Sequence, residues 1–225
     1  MKIPRVFVPL STIPYNWFKN GNKKWELRRY SRQYTEKNIV KNRLVELRCG
    51  YSNKEKAIWG IITDFYIYKN IESIYQNINF KEITPEALNE IEAIETSKEI
   101  LNITKYIDSK FIVFKILKLE NPQFIEVSSE FFDIIKGGIK KSTIRRGIRN
   151  FREGTCVLYC ETEAVVVNID KIHVKILKEI TCDEARNDGF NSINELRVIL
   201  TKFYGKLEED EAMTIIDFNV QFEGV

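Results

Sequence analysis

The chain has little of what metal-binding and secreted proteins usually need. It contains one histidine, His173, and four cysteines with no C-x-x-C pair among them. Because structural zinc sites draw on closely paired cysteines and histidines, this composition argues against a metal centre, and His173 is expected to be a strand residue. The first residues carry no export signal, so the cysteines are expected to be free thiols in a reducing cytoplasm, with Cys156 and Cys160 in the core.

Long apolar runs and cofactor motifs are missing as well. The stretch from Phe111 to Leu119 is interrupted by lysine, and it is far shorter than the roughly 20 residues that a bilayer requires. No phosphate-binding G-x-x-x-x-G-K-[ST] occurs, and no G-x-G-x-x-G follows a strand-like segment. We therefore expect a cytoplasmic protein with no cofactor, no metal and no membrane association.

The charge is close to balanced overall but unevenly distributed. The net charge is +3, with 44% apolar and 30% charged residues, which is the composition of an ordinary globular protein. From Ile134 to Arg152 every charged residue is basic, whereas acidic residues gather in Glu82–Glu99 and Glu208–Glu211. A basic patch of this kind attracts phosphates, although a lysine-rich stretch is also a common solvated surface.

An internal repeat organises the chain. The segment Lys19–Arg29 aligns without gaps on Lys136–Arg146, at an offset of 117 positions from Gly21 to Gly138. Lysine, glycine, two adjacent lysines and two adjacent arginines coincide, and an aliphatic residue precedes the arginines in both segments. Self-similarity at this spacing predicts a duplicated unit.

The flanking segments predict the same order of elements in both copies: helix, motif, strands, helix and strand. Serine and threonine caps, glycines that end helices and period-two apolar patterns indicate these elements. In the first copy they are a helix over Pro14–Asn20, strands Arg43–Tyr51 and Ile58–Tyr68, a helix from an N-cap at Thr84 to Leu101, and strand Phe111–Leu119. In the second they are a helix from a cap at Ser128 to Lys136, strands Thr155–Cys160 and Ala164–Leu177, a helix from a capping box at Ser192 and Glu195 to about Gly205, and strand Met213–Phe222.

The boundary between the copies is expected in the polar stretch Lys118–Gln123, where Asn121-Pro122 interrupts any regular element. The sequence thus predicts an N-terminal domain over residues 1–119 and a C-terminal domain over residues 123–225. The fold class is α+β.

The repeated motif G-x-K-x-x-[ET]-x-R places several cations around one tight turn. Its glycine supplies the left-handed conformation that ends a helix, so the first lysine is expected to point inward and the second toward solvent. Residues two apart on a strand share a face, so Glu26 should lie on the same face as Arg28, and Thr143 on the same face as Arg145. The candidate nucleic-acid contacts are Lys23, Lys24, Trp25, Glu26, Arg28, Arg29 and Tyr30 in the first copy and Lys141, Arg145 and Arg146 in the second.

A structural interpretation of the same residues stays open. Glu26 would then pair with Lys23 or Arg28 in a partly buried ion pair, and Thr143 would be a strand residue. Trp17 and Trp25 would belong to the core. The occurrence of the motif in two copies, with aromatic residues beside the first, favours a base or nucleotide pocket.

The second copy, from about Glu126 to Gln221, resembles an ASCH domain of the PUA-like group. The resemblance rests on G-I-K-K-S-T-I-R at Gly138–Arg145, F-R-E-G at Phe151–Gly154 and A-R-N-D-G-F at Ala185–Phe190. The first copy is similar to the glutamate-carrying variant through G-N-K-K-W-E-L-R at Gly21–Arg28, but it has no clear A-x-x-D-G-F segment and its middle is longer.

This resemblance implies two tandem PUA-like small β-barrels with flanking helices and a cleft faced by each motif. ASCH proteins are mostly proposed RNA binders, and some small members deacetylate acetylcytidine through a lysine, a threonine and an acidic residue; ribonuclease activity also occurs in the family. The matching catalytic positions here are Lys140, Thr143 and Asp188, with aspartate where those enzymes have glutamate.

The leading hypothesis is a nucleic-acid-binding protein that recognises single-stranded or modified nucleotides, RNA rather than DNA. Two alternatives remain: a hydrolase, either a nucleoside amidohydrolase or a ribonuclease, in the C-terminal cleft, and a protein-interaction module that uses the acidic Glu82–Glu99 segment.

Overall fold

The computed structural model describes residues 3–51, 54–103 and 110–221. The chain divides into two compact units: one is Arg5–Glu120, and the other is Asn121–Val225 together with Met1–Pro4. Each unit is a curled five-stranded sheet with helices on both faces, so the predicted α+β class with two tandem copies is confirmed.

The N-terminal unit has a sheet of strand order β1-β3-β4-β5-β2, in which only the β1–β3 pair is parallel. A 3₁₀ turn at Phe80–Glu82 precedes its last helix. The elements are β1 (Val6–Leu10), α1 (Thr12–Lys19), β2 (Trp25–Arg29), β3 (Leu44–Cys49), β4 (Ile58–Tyr68), α2 (Glu72–Tyr75), α3 (Glu90–Leu101) and β5 (Phe111–Lys118).

The C-terminal unit repeats this topology as β6-β8-β9-β10-β7, again with a single parallel pair, β6–β8. A 3₁₀ turn at Ser129–Phe131 leads into its first helix. The elements are β6 (Gln123–Glu126), α4 (Phe132–Lys136), β7 (Ser142–Arg146), β8 (Gly154–Tyr159), β9 (Ala164–Ile176), α5 (Cys182–Asn187), α6 (Ile193–Tyr204) and β10 (Ala212–Val220).

The period-two pattern of the central strands gives each unit two apolar layers. On β5, Ile112 and Phe114 pack on the α1 side, whereas Phe111 and Val113 pack against α2 and α3. Alternate residues of β10 divide in the same way between the α4 side and the α5–α6 side. Burial of one such side chain contributes about 1.5–3 kcal/mol, so the sheet is held from both faces.

Both sheets curl until their edge strands are bridged by a motif arginine. Irregular pairing within β4–β5 and β9–β10 marks β-bulges, which bend a strand and increase its twist. Arg28 on β2 donates from Nη2 to the carbonyl oxygen of Pro9 on β1 at 2.6 Å. Arg145 on β7 donates to the carbonyl oxygen of Glu126 on β6 at 2.8 Å. These arginines therefore close the half-barrels as well as facing the clefts.

Three of the predicted helix caps are corrected. The helix expected to begin at Thr84 begins at Glu90, because Asn89 rather than Thr84 accepts a hydrogen bond from the first turn, from the Glu92 amide. Ser128 makes no capping hydrogen bond, since a 3₁₀ turn intervenes before α4.

At α6 half of the predicted capping box is present. Ser192 accepts from the Glu195 amide, but the Glu195 carboxylate accepts from the Asn191 amide instead of from Ser192. In the last predicted strand, Phe222 lies outside the described residues.

The sequence patterns missed two edge strands and two short helices. Strand β1 contains Pro9, and proline is tolerated there because an edge strand leaves some amides without a ladder partner. Strand β6 begins directly after Pro122, inside the stretch expected to be a linker. Helices α2 and α5 are too short for their apolar residues to show a clear helical period.

Candidate functional site

The same turn positions the motif in both units. Gly138 has φ +67° and Gly21 has φ +77°, a left-handed conformation that glycine adopts without strain. The Lys140 amide donates to the carbonyl oxygen of Ile134 at 3.0 Å, and the Lys23 amide to that of Trp17 at 3.2 Å. This backbone path turns Lys140 and Lys23 inward, where they are buried, and leaves the next lysine exposed, as predicted.

The C-terminal unit contains a cavity of about 570 Å³. Predicted residues Lys140, Thr143, Arg145 and Asp188 all line it. The remainder of the wall comes from β6 and the turn that follows it, the β8–β9 turn, the loop after α5, and the end of α6. Those residues include Glu126, Phe131, Cys160, Phe190, Phe203 and Tyr204.

A buried ion pair lies at the base of this cavity. The Lys140 ammonium donates to the backbone oxygen of Asp188 at 2.6 Å and also to its carboxylate, and both side chains are about 95% buried or more. The ammonium also lies 4.8 Å from the centre of the Phe131 ring and 5.6 Å from that of Phe190, within cation–π range. Lys140 is thus held by one carboxylate, one carbonyl and two aromatic rings.

Burial displaces the protonation equilibria of both partners. It raises the pKa of the Asp188 carboxyl to about 6, although the neighbouring Lys140 and Arg145 favour the ionised form. Burial also lowers the pKa of the Lys140 ammonium, which Asp188 opposes. Both directions favour the neutral forms, the arrangement expected where a group must gain or lose a proton near neutral pH.

The loop that carries Asp188 is fixed from several sides. Helix α5 begins with a full capping box between Thr181 and Glu184, and the Lys141 amide donates to the carbonyl oxygen of Asn187 at 2.7 Å. Gly189 has φ +89°, and a Cβ there would lie 2.8 Å from Cδ1 of Ile134. The glycine of the A-R-N-D-G-F segment therefore allows the loop to approach Lys140 closely.

Thr143 lies in the middle of β7 and is 2% exposed. Strand alternation places it on the same face as Arg145, so a hydroxyl stands between the lysine of the turn and the arginine that bridges to β6. The cavity therefore combines a hydroxyl, an ammonium and a carboxyl group on one wall.

The N-terminal unit uses the same positions with a different distribution of charge. Lys23 donates to the carbonyl oxygen of Ile83 at 2.7 Å, as Lys140 does to that of Asp188. Ile83 thus takes the place of Asp188, and the carboxylate is supplied by Glu26, which lies 3.6 Å from the Lys23 ammonium and accepts from Nε of Arg28 at 2.7 Å. Burial lowers the pKa of Lys23. Lys23, Glu26 and Arg28 line a cavity of about 150 Å³. The N-terminal unit therefore has both the buried ion pair of the structural interpretation and a cleft.

The second arginine of each motif has a structural partner. Arg29 donates to the carbonyl oxygens of Leu101 and Asn102 at 2.7 and 2.6 Å, and Arg146 donates to that of Tyr204 at 2.9 Å and pairs with Glu211. Both therefore hold the C-terminal end of a helix, where a cation is favourable.

Other predicted contacts lie outside the two cavities. Trp25 is buried against α2 and α3, with its indole N–H donated to Glu82 at 3.1 Å, so its place is in the core. Lys24 pairs with Glu82 at 2.6 Å, the Tyr30 hydroxyl donates to Glu36, and Lys141 is exposed. Of this group, Lys141 is the residue whose exposed side chain remains available to a surface ligand.

Several wall residues were not found from the sequence. Phe131, Phe203 and Tyr204 line the larger cavity, yet in the sequence they are aromatic members of apolar helical stretches. Glu126 and Cys160 come from strand ends. Only the fold brings these segments to one place, and no local pattern marks them.

In the residues that the structure describes, no group of three or more histidine, cysteine, aspartate or glutamate side chains is arranged to hold a metal ion. Over the same residues, no helix is both long and apolar enough to cross a membrane. The cysteines are free, Cys156 and Cys160 are buried as expected, and His173 lies on β9.

No family model matches the chain, and no curated protein matches its sequence significantly. Solved structures with similar folds include an ASCH domain from Lactobacillus crispatus JV V101, at 13% identity, covering 44% of this chain and 79% of that one with a TM-score of 0.38. Hypothetical protein PH0355 is 12% identical and covers 51% of this chain and 99% of its own, with a TM-score of 0.43. Protein PF0455 from Pyrococcus furiosus is 15% identical and covers 52% and 98%, with a TM-score of 0.38.

Proposed function

We propose that the protein binds RNA and that the C-terminal cavity receives one base of a single-stranded or modified nucleotide. The observation that supports this proposal is a cavity of about 570 Å³ in which aromatic side chains and a small set of polar groups occur together. Pockets for small organic ligands commonly measure about 300–1,000 Å³, with apolar walls and a few polar groups that fix orientation. A nucleobase matches that description.

The wall offers both kinds of contact that base recognition requires. Phe203 is half exposed at the end of α6 and lines the cavity, where a base can stack on its ring. The Thr143 hydroxyl can donate or accept a hydrogen bond, and the Lys140 ammonium has a third N–H beyond those directed to Asp188. These groups can read the edge of a base.

Exposed basic residues that precede and follow β7 supply positive charge for the phosphates that flank the base. Lys141, Arg149 and Arg152 are exposed, and contacts of this type provide affinity that is independent of sequence and falls with salt. The base would then be selected in the cavity and the backbone held outside it.

Fluorescence anisotropy of a labelled single-stranded RNA across a salt series tests the proposal. Phe203→Ala removes the stacking surface and is expected to weaken binding by about 1–3 kcal/mol, while Thr143→Val removes only a hydroxyl. Val198→Ala is the matched control, because Val198 is an exposed apolar residue of the same helix that does not line the cavity. Arg145→Ala is a poor probe, since it also removes the bridge between β6 and β7.

If the RNA fails to bind at low salt, or binds Phe203→Ala and Thr143→Val as tightly as the wild type, the cavity is not a nucleotide site. A labelled DNA of the same sequence determines whether RNA is preferred.

A second candidate function is hydrolysis of an acylated nucleoside. The shifted pKa values of Lys140 and Asp188 beside Thr143 favour it. In this reaction a neutral Lys140 amine takes the Thr143 proton while Oγ attacks the acyl carbonyl, and the amine of the base leaves with a proton. Water then releases the acyl group from Thr143 as a carboxylic acid. Asp188 would orient the Lys140 amine through their hydrogen bond and stabilise the ammonium that forms when Lys140 takes the proton.

Turnover of acetylcytidine tests this candidate. The expected result is loss of turnover in Lys140→Ala and retention in Lys23→Ala, which removes the equivalent lysine from the other unit. Binding of acetylcytidine without production of acetate by the wild type would leave recognition alone as the function.

A further inference from the structure

The N-terminal cavity differs from the C-terminal one in size and in the chemistry of its wall. At about 150 Å³ it is roughly a quarter of the volume of the other, and it falls below the range of about 300–1,000 Å³ typical for drug-sized or cofactor ligands. A ligand for this site must therefore be small.

The wall of this cavity is rich in hydrogen-bond donors. Trp17 is 5% exposed, lines the cavity, and its indole N–H has no hydrogen-bond partner among the described residues. Leaving a buried donor unsatisfied costs about 1–3 kcal/mol, so this position suits an acceptor that comes from outside the chain.

Two cations, Lys23 and Arg28, line the same cavity as that indole. The Lys23 ammonium has three N–H groups, and Ile83 takes one of them at 2.7 Å. The guanidinium of Arg28 has five N–H groups, and the described contacts engage two of them, with Glu26 and Pro9. Donors on both cations are left for a ligand.

Glu26 is the carboxylate among the described residues of the wall, and it does not cancel this charge. Glu26 is nearly fully buried, accepts from Nε of Arg28 and lies 3.6 Å from the Lys23 ammonium. Two cations against one carboxylate leave a net charge of +1 on the ionised cluster. Glu26 therefore keeps the two cations together, and the excess charge is complementary to an anion.

We infer that the cavity formed by Trp17, Lys23 and Arg28 in the N-terminal unit binds a phosphate-sized oxyanion. The small volume, the unpartnered indole N–H and the excess positive charge all select a compact ligand that offers several acceptors. The inference does not depend on RNA binding by the C-terminal cavity.

The indole N–H signals provide a test in which phosphate is titrated into the unsubstituted protein. The chain has three tryptophans, so its ¹⁵N–¹H spectrum contains three indole resonances, which single Trp→Phe variants assign. Titration with inorganic phosphate is expected to move the Trp17 resonance and to leave that of Trp25, which is bonded to Glu82, in place. If the Trp17 resonance does not move at millimolar phosphate, or if all three move together, the inference is wrong.

Calorimetric titration of phosphate into matched variants gives the energetic test. Trp17→Phe removes the N–H and is expected to lower the affinity about tenfold, whereas Trp25→Phe makes the same chemical change outside the cavity and should leave it unchanged. Lys23→Met keeps the side-chain length, removes the charge and should lower the affinity by at least tenfold. Equal affinity in Trp17→Phe and Trp25→Phe would contradict the assignment.

The phosphate can be free or can be the end group of a nucleic acid, and two RNAs distinguish these sources. A 5′-phosphorylated RNA that binds more tightly than the same RNA with a 5′-hydroxyl, with the difference lost in Lys23→Met, assigns the cavity to a terminal phosphate. No difference between the two RNAs, with phosphate itself still bound, assigns it to a free oxyanion. Phe203→Ala should leave phosphate binding intact in either case, so failure of this site and failure of the RNA proposal are separate results.

Discussion

Replacing one member of the Lys140–Asp188 pair should destabilise the C-terminal unit far more than replacing both. Both side chains are buried, and removing one partner of a buried pair typically costs about 3–5 kcal/mol because the other is left uncompensated. We expect about 3 kcal/mol for Asp188→Asn and for Lys140→Met, the lower end of that range, because burial already favours the neutral form of each remaining group.

The double variant Lys140→Met/Asp188→Asn should recover most of this loss. It buries no charge at either position, and its main defect is the Asp188 carbonyl oxygen, which loses the hydrogen bond from Lys140. Since an unmade hydrogen bond to a buried acceptor costs about 1–2 kcal/mol, the double variant should lie within about that distance of the wild type. The two substitutions would then be strongly non-additive.

Two spectroscopic probes separate the units in a urea titration. The tryptophans Trp17, Trp25 and Trp59 all lie in the N-terminal unit, so their fluorescence follows that unit alone. The buried thiols of Cys156 and Cys160 lie in the C-terminal unit, and their labelling, mapped by peptide mass, follows the other. With a slope of about 1.5 kcal/mol per molar urea, a loss of 3 kcal/mol moves the thiol midpoint by about 2 M.

The reasoning fails under either of two results. If each single variant shifts the thiol midpoint by an amount equivalent to less than about 0.5 kcal/mol, the pair is not effectively buried. If the double variant equals the sum of the singles, Lys140 and Asp188 do not interact energetically. The tryptophan transition serves as the internal reference for the unsubstituted unit.

Three further expectations concern the same unit. Gly189→Ala should cost about 2–4 kcal/mol, from the positive φ and the close approach to Ile134, whereas Gly138→Ala, which meets no atom within 4 Å, should cost only about 1–2 kcal/mol; equal costs in thiol-labelled urea titrations would disprove the close contact. Because Cys160 is buried, RNA bound in the cavity should raise the urea midpoint of its labelling, and an unchanged midpoint at saturating RNA would show that the RNA does not bind the C-terminal unit. Because the pKa of Asp188 is about 6 in the folded state against about 3.9 unfolded, its contribution to stability is present below the unfolded pKa and is lost as pH rises through about 6. The cost of Asp188→Asn should therefore be about 1 kcal/mol larger at pH 5 than at pH 7, and a pH-independent cost would show that burial does not raise this pKa.

The fold could be predicted from the sequence where the signal was local. The 117-residue repeat, the glycine turns and the period-two strands Ile58–Tyr68 and Ala164–Ile176 all appear in the structure. Strand β1 could not be recognised from the sequence, because a proline such as Pro9 normally interrupts a strand. The segment is a strand only because it pairs with β3 at the edge of the sheet, with Pro9 opposite Arg48.

The candidate site also contains residues that the sequence identified and contacts that only the fold creates. Lys140, Thr143 and Asp188 lie in motifs, and the structure brings them to one cavity. Arg145 was expected only as a ligand contact, and Arg28 as a ligand contact or an ion-pair partner of Glu26. Their bonds to Glu126 and Pro9 depend on the curl of the sheet. A role in closing the half-barrel is a property of the whole unit, and no segment of sequence carries it alone.

The two copies keep a buried lysine–carboxylate pair but differ in the wall of the cavity beside it. Each unit keeps a buried lysine, so each must keep a carboxylate near it. In the N-terminal unit that carboxylate is Glu26, which stands on the strand, binds the bridging arginine and is part of the wall of a small cavity. In the C-terminal unit it is Asp188 on the loop, and the strand position is free for Thr143, whose side chain is smaller and neutral. With the carboxylate on the loop, the strand position beside the arginine carries a hydroxyl instead of a charged group. The cavity that Thr143 lines is the larger of the two.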